Sequence, residues 1–165
     1  MPQQIIFEFN KDVSLQNWKT VDDVVMGGRS RGKITLSPEG YGLFSGTISL
    51  ENNGGFSSVR YLPADLEVNP KNKIRMRLKG DEKRYQFRVK HDQQASHSYI
   101  SYFETTSEWQ DITMLLNDLY PTFRGRRLDQ PNFHHKTIQE LGFLIGNKKA
   151  EDFELLIDKI ELISG

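Results

Sequence analysis

The chain has 165 residues, 36% of them hydrophobic and 27% charged, with ten phenylalanines, six tyrosines and two tryptophans. That aromatic content excludes a wholly disordered chain, and a length of this order predicts one domain, residues 1–165, with a core of its own. Lysine plus arginine equals aspartate plus glutamate at 22 each, which argues against a general polyanion binder, and the absence of cysteine removes disulfides, thiolate metal sites and cysteine nucleophiles.

Period-two alternation dominates the chain. Strands are expected over Ile5–Phe9, Lys33–Leu36, Gly42–Leu50 and Phe56–Tyr61. Residues 73–79 alternate Ile74, Met76 and Leu78 against lysines and arginines, and residues 84–90 alternate Tyr85, Phe87 and Val89 against Arg84, Arg88 and Lys90. Gly80–Lys83 between them reads as a hairpin loop. Further strands are expected over Tyr99–Glu104, Glu108–Leu115, Ile138–Ile145 and Phe153–Ile163. The stretch Asp152–Ile163 also fits a helix, because Ile157, Ile160 and Ile163 recur every three residues, as well as a bulged strand. Helical patterns are otherwise scarce, with a turn or two at Asp65–Asn69 and Leu115–Tyr120. About ten short strands with turns between them predict an all-β sandwich of the jelly-roll kind. The long irregular segments are 17–32 and 117–137.

Charge is unevenly placed. Residues 71–90 hold nine basic and two acidic residues, and a smaller basic cluster is Arg124, Arg126 and Arg127. Were 73–79 and 84–90 a hairpin, the basic side chains would crowd one sheet face, at a cost of up to about 1 kcal/mol per directly opposed pair. Glu104, Asp111, Glu154 and Asp158 are candidates to neutralise that face; an acidic partner is the other solution. Nucleic acid is not an expected partner, because the aromatics of these strands point away from the basic face.

Two loops carry the sharpest signals. Trp18 leads into Asp22, Asp23, Met26, Gly27, Gly28 and Ser30, and Asn53-Gly54-Gly55 leads into Phe56–Arg60. Paired carboxylates bind cations, guanidinium groups or hydroxyls, and glycines permit positive φ and close approach. A packed loop, with Trp18 as a core plug and an aspartate holding the turn, explains the same residues. Arg60 lies in an expected strand and needs an anionic partner, for which Asp22, Asp23 and Asp81 are the candidates. No chelating histidine spacing, nucleophile elbow, phosphate loop or dinucleotide fingerprint occurs, so no cofactor, no zinc and no catalytic set are expected. Calcium at a loop suits the abundant oxygen donors better, without a ligand set that can be named.

These residues carry a resemblance. Trp18 with Val21–Ser30, and Asn53–Arg60, look like the two signature stretches of the complex I intermediate-associated protein family of thirty kilodaltons. Gly80-Asp81 with Tyr85, Trp109, Phe123-Arg124-Gly125, Gly142-Phe143, and Phe153 with Asp158 and Ile160 extend the similarity over about residues 5–163. The resemblance implies a galactose-binding-like jelly roll and a non-enzymatic, assembly-chaperone role toward a protein client, a respiratory-complex subunit among the candidates. It implies a surface at Asp22, Asp23, Met26, Gly27, Gly28, Asn53, Gly54 and Arg60. Trp18 and Met26 would then supply apolar contact, Asp22, Asp23 and Asn53 hydrogen bonds, and the Arg124–Arg127 loop anion contact, with Arg60 positioning the acidic pair. A carbohydrate-binding module is the alternative, expected to expose aromatics such as Trp18 or Tyr102. An enzyme working through Asp22, Asp23 or Asp81 is the third. The sequence has no run of eighteen apolar residues, and Met1–Gln4 lacks a secretory or organelle pattern, so a cytoplasmic chain without a membrane span is expected.

Overall fold

Alternation becomes architecture through pairing: a strand with one apolar face must lay that face on another layer. The computed structural model describes residues 3–22, 28–62 and 64–164. In chain order the strands are β1 (Gln3–Glu8), β2 (Trp18–Asp22), β3 (Arg31–Leu36), β4 (Gly42–Ile48), β5 (Ser57–Tyr61), β6 (Leu66–Glu67), β7 (Lys73–Lys79) and β8 (Arg84–Lys90). They continue with β9 (Ser98–Glu104), β10 (Trp109–Leu115), β11 (Tyr120–Phe123), β12 (Arg126–Arg127), β13 (Thr137–Ile138), β14 (Glu140–Ile145) and β15 (Glu151–Ile163). Short 3-10 turns occupy Glu51–Asn53 and Leu116–Asp118.

One sheet runs β10-β7-β15-β4-β3, with β1 also paired to β15; the other has seven strands in the order β12-β11-β9-β8-β14-β5-β2. All their pairings are antiparallel. The two sheets stack as a β-sandwich, and β6 with β13 forms a small separate ladder. Ile74, Met76 and Leu78 from one sheet and Tyr85, Phe87 and Val89 from the other are buried in a common core.

That arrangement corrects the expected hairpin. β7 and β8 belong to different sheets, so their basic side chains lie on opposite outer faces of the sandwich. The link between them crosses the layers and is pinned there. Asp81 accepts hydrogen bonds from the Tyr85 hydroxyl (3.0 Å) and the Glu154 amide (2.8 Å). Gly80 packs so closely on Thr105 that a Cβ would meet its side chain at 2.1 Å. The gain is mutual burial: two apolar strand faces cover each other across the core instead of lying side by side.

The stretch 152–163 is a strand throughout. Its register against β7 shifts between Ile157 and Lys159, a bulge at Asp158. Before the bulge Phe153, Leu155 and Ile157 point inward; after it Ile160 and Leu162 do. The three-residue spacing that imitates a helix is therefore a change of strand parity. The irregular segment 17–32 contains β2, and 117–137 contains β11 and β12. Among the described residues, no helix is long and apolar enough to cross a membrane.

Candidate functional site

The signature stretches meet, but chiefly in each other's service. β2 pairs with β5, setting Asp22 opposite Ser57. The Asp22 carboxylate accepts from the Ser57 hydroxyl and from the Gly32 amide (3.0 Å). Ser57 is in the seven-stranded sheet and Gly32 in the other, so one carboxylate ties the layers together. Gly32 has no room for a side chain, since a Cβ would lie 2.0 Å from the Ser57 Oγ. Ser30 is buried; its Oγ accepts from the Ser49 amide (2.9 Å) and lies 3.2 Å from the Ser49 carbonyl. Gly28 is buried, and Asn53 ends a 3-10 turn closed by the Gly54 amide on the Glu51 carbonyl (3.0 Å). Asp23, Met26 and Gly27 lie outside the described residues.

Trp18 is a correction to the expected contact surface: it is 5% exposed. Its ring packs among Phe7, Phe9 and Tyr61 at centroid distances of 5.4, 5.4 and 5.0 Å. Arg60 brings a second correction, as to Asp22 and Asp81; Asp23, the third candidate partner, is not among the described residues. Among the described residues Arg60 forms no ion pair with Asp22 or Asp81. The reason is the pleat. Asp22 and Ser57 share the inward parity of Trp18 and Val59, whereas Arg60, opposite Lys19, points to the outer face of the sheet. Asp81 is held elsewhere, by Tyr85, Glu154 and the ammonium of Lys83 at 3.6 Å.

Arg60 joins a different set. Across the outer face of the seven-stranded sheet one row reads Lys19, Arg60, Gly142, Arg88, Ile100 and Tyr120, on β2, β5, β14, β8, β9 and β11. The adjacent row sets Gln86 opposite Tyr102. An open groove of about 160 Å³ lies here, lined by Gln86, Arg88, Ile100, Tyr102, Tyr120, Thr122, Gly125 and Arg127. Its wall is the β11–β12 hairpin, whose tip residues Arg124 (φ 52) and Gly125 (φ 79) both take positive φ, as a tight two-residue turn requires. Arg124 lies at that tip, with its guanidinium carbon 5.4 Å from the Phe123 ring centroid.

A polar chain organises the groove. Arg88 Nη1 donates to Gln86 Oε1 (2.8 Å), and Gln86 Nε2 donates to the Tyr102 hydroxyl (3.1 Å). The Arg84 guanidinium covers the Tyr102 ring at 4.0 Å, and Arg127 covers Tyr120 at 4.3 Å. Tyr102 remains 38% exposed. Burial, and then the like charge of Arg60, lower the Arg88 pKa to about 10, with Glu140 partly opposing; Arg88 stays cationic at neutral pH. The Arg60 Nε is buried without a hydrogen-bond partner among the described residues.

The carbohydrate-binding alternative expects exposed aromatics such as Trp18 or Tyr102, of which Tyr102 is exposed and Trp18 is not. The Arg124–Arg127 loop is expected as an anion contact; Gln86, Arg88, Tyr120 and Thr122 were missed as one surface. The available signal was that the outward positions of 84–90 are the long polar residues Arg84, Gln86, Arg88 and Lys90, with Tyr102 outward on 98–104. The order of strands that makes them neighbours is not a local property.

All four histidines lie together at one edge of the fold. The rings of His91 and His135 stack at 3.6 Å, and the buried Tyr99 hydroxyl lies 3.2 Å from His97 Nε2 and 2.9 Å from His135 Nε2. His134 is 4.3 Å from His135, ring to ring. Among the described residues no group of histidines and carboxylates has a metal-holding arrangement.

A family model described as complex I intermediate-associated protein 30 matches residues 7–157. The chain belongs to the complex I intermediate-associated protein 30 family. No curated protein sequence matches it significantly. Among solved structures, a family 11 carbohydrate-binding module of the cellulosomal cellulase Lic26A-Cel5E of Clostridium thermocellum matches with a TM-score of 0.70 at 17% identity, covering 100% of this chain and 96% of that one. A family 11 module from the same organism, in complex with a β-1,3-1,4-mixed-linked tetrasaccharide, matches at 0.68 and 15%, covering 99% and 96%. A point mutant of a family 29 carbohydrate-binding module matches at 0.59 and 12%, covering 100% and 94%. At such identities these likenesses show the fold, a galactose-binding-like jelly roll, which this member of the intermediate-associated family shares.

Proposed function

We propose that the chain is a non-catalytic binding module of the assembly-assisting kind, and that it engages a protein client across the outer face of the seven-stranded sheet. The observation that carries this is the groove: Arg88 and Tyr102 stand open to a ligand. Two polar side chains of the signature stretches are instead committed internally, Asp22 to Ser57 and Gly32, and Ser30 to Ser49. The family supports a protein client. Non-catalysis is supported by the groove's lining, which holds no carboxylate to act as acid or base, and by the separate hydrogen-bond duties of Asp22 and Asp81.

The test is affinity capture from the native host, with clients identified by mass spectrometry. Three baits are compared: the unaltered chain, an Arg88→Gln/Tyr102→Ser variant, and an Asp23→Ala/Met26→Ala variant of the signature loop. Loss of a client from the groove variant alone supports the reading. Loss from the loop variant alone rejects it.

A carbohydrate ligand is the second reading, favoured by the partial exposure of Tyr102 in a groove of this fold. Retention on mixed-linked β-glucan, abolished in the groove variant, would select it.

A further inference from the structure

We propose that the groove is an anion-recognition site for carboxylates of an acidic, extended peptide segment; this rests on the protein-client reading and names the chemistry of the contact.

The arginines at the middle of the two outer faces differ in their partners. On the six-stranded sheet Arg75 is paired with Glu161 at 3.2 Å, and Arg77 with Asp158 at 3.5 Å and Asp111 at 3.9 Å. On the seven-stranded sheet Arg60, Arg84, Arg88 and Arg127 have no carboxylate within ion-pair distance among the described residues. The acidic residues of that face are Glu104, across from Arg84, and Glu140, across from Lys90. Neither makes an ion pair there. Arg60 and Arg88 flank Gly142, so no side chain separates the two cations. Two guanidiniums partly removed from water beside each other repel, and a fold built only for stability would intersperse a carboxylate. A carboxylate supplied by a ligand removes the repulsion and accepts paired N–H donors in the geometry arginine offers.

The aromatics point to the same ligand. A sugar stacks on a bare aromatic face. Here guanidinium groups cover a face of Tyr102 and of Tyr120, leaving cations where a neutral sugar ring would lie. The open groove, with Arg88 of β8 and Arg127 of β12 in its lining and Arg60 of β5 beyond Gly142 in the same cross-strand row, suits several acidic side chains along an extended strand better than a single small anion.

The experiment is fluorescence anisotropy with a labelled hexaglutamate peptide, at low and at physiological ionic strength. Hexaglutamine, trigalacturonate and a mixed-linked β-glucan tetrasaccharide serve as comparison ligands. Expected results are saturable hexaglutamate binding that weakens with salt, no hexaglutamine binding, and weaker trigalacturonate binding. Arg88→Gln and Arg60→Gln should each weaken hexaglutamate binding by about ten- to a hundredfold, with unchanged thermal unfolding profiles confirming that the variants fold. Arg31→Gln, an exposed arginine on the other sheet, should leave it unchanged. No hexaglutamate binding, equal loss in Arg31→Gln, undiminished binding in both Arg88→Gln and Arg60→Gln, or preference for either saccharide would overturn the proposal. If client capture still depends on Arg88 and Tyr102 while hexaglutamate fails, only the acidic-peptide assignment falls. If capture ignores the groove, the client reading falls with it.

Discussion

Arg60 and Arg88 face the same side of the seven-stranded sheet, in one cross-strand row, with only Gly142 between them. Each is half-buried, and the charge of one lowers the proton affinity of the other. The sheet keeps both cations outward because their strand neighbours Val59, Phe87 and Val89 are fully committed to the core. Core packing thus fixes the outward direction of the row, and no carboxylate among the described residues forms an ion pair with either arginine.

Gly142 is required by backbone as well as by the surface. A Cβ there would lie 2.1 Å from the Val59 carbonyl oxygen, which cannot move without breaking the β5–β14 pairing. Gly142→Ala is expected to destabilise the fold by about 1–3 kcal/mol, the range of overpacking. Denaturant titration followed by tryptophan fluorescence measures it; an unchanged midpoint would contradict the close approach.

The Asp22 clasp makes a separate claim. Asp22→Ala leaves the Ser57 hydroxyl and Gly32 amide without their acceptor and should cost about 1–3 kcal/mol. Ser57→Ala should cost less. Because the two side chains share one bond, the double variant should cost clearly less than the sum. Additive losses in thermal unfolding would show that the clasp does not act as a unit.

Trp18 distinguishes a core plug from a contact residue. Buried among Phe7, Phe9 and Tyr61, it should cost about 3–5 kcal/mol on truncation to alanine. Trp18→Phe, which keeps most of the packing, should retain client capture. Loss of capture by a well-folded Trp18→Phe would place the indole in the interface.

Much of the sandwich was readable because its strands alternate. The inward residues of β7 and β8 are named correctly by parity alone. What escaped were relations between strands. Parity also told that Arg84 and Arg88 share a face, but not that β7 would leave for the opposite sheet and β11 arrive beside β9. The pairing of Arg60 with Asp22 failed for the same reason: the two are near in register but lie on opposite sides of one pleated sheet. The bulge at Asp158 disguised a strand as a helix because one extra residue turns a spacing of two into a spacing of three.

The histidine cluster predicts an acid limb in stability. Burial, then the charges of His91, His134 and His97, lower the His135 pKa from 6.5 to about 4. Burial, then His97, also lower that of His91, while Asp92 opposes the shift. The folded state therefore favours neutral rings. Above pH 6.5 neither state takes up the proton, and the stability is fully present. Between pH 6.5 and about 4 the unfolded chain binds protons that the folded chain refuses, so stability falls as pH falls. Melting temperature measured across this window should decline, and His135→Gln should make the decline shallower. An identical slope in the variant would remove His135 from the cause.

The binding face itself can be located without altering a residue. Hydroxyl-radical footprinting of the chain, alone and with its captured client, reads the solvent access of side chains directly. Tyr102 is 38% exposed in the groove, and Phe123, on the hairpin that walls it, is 40% exposed. Their oxidation should slow when the client is bound, while that of Met26 is unchanged. Slowed oxidation of Met26 with Tyr102 and Phe123 unaffected would move the contact to the signature loop and contradict the assignment of the seven-stranded sheet.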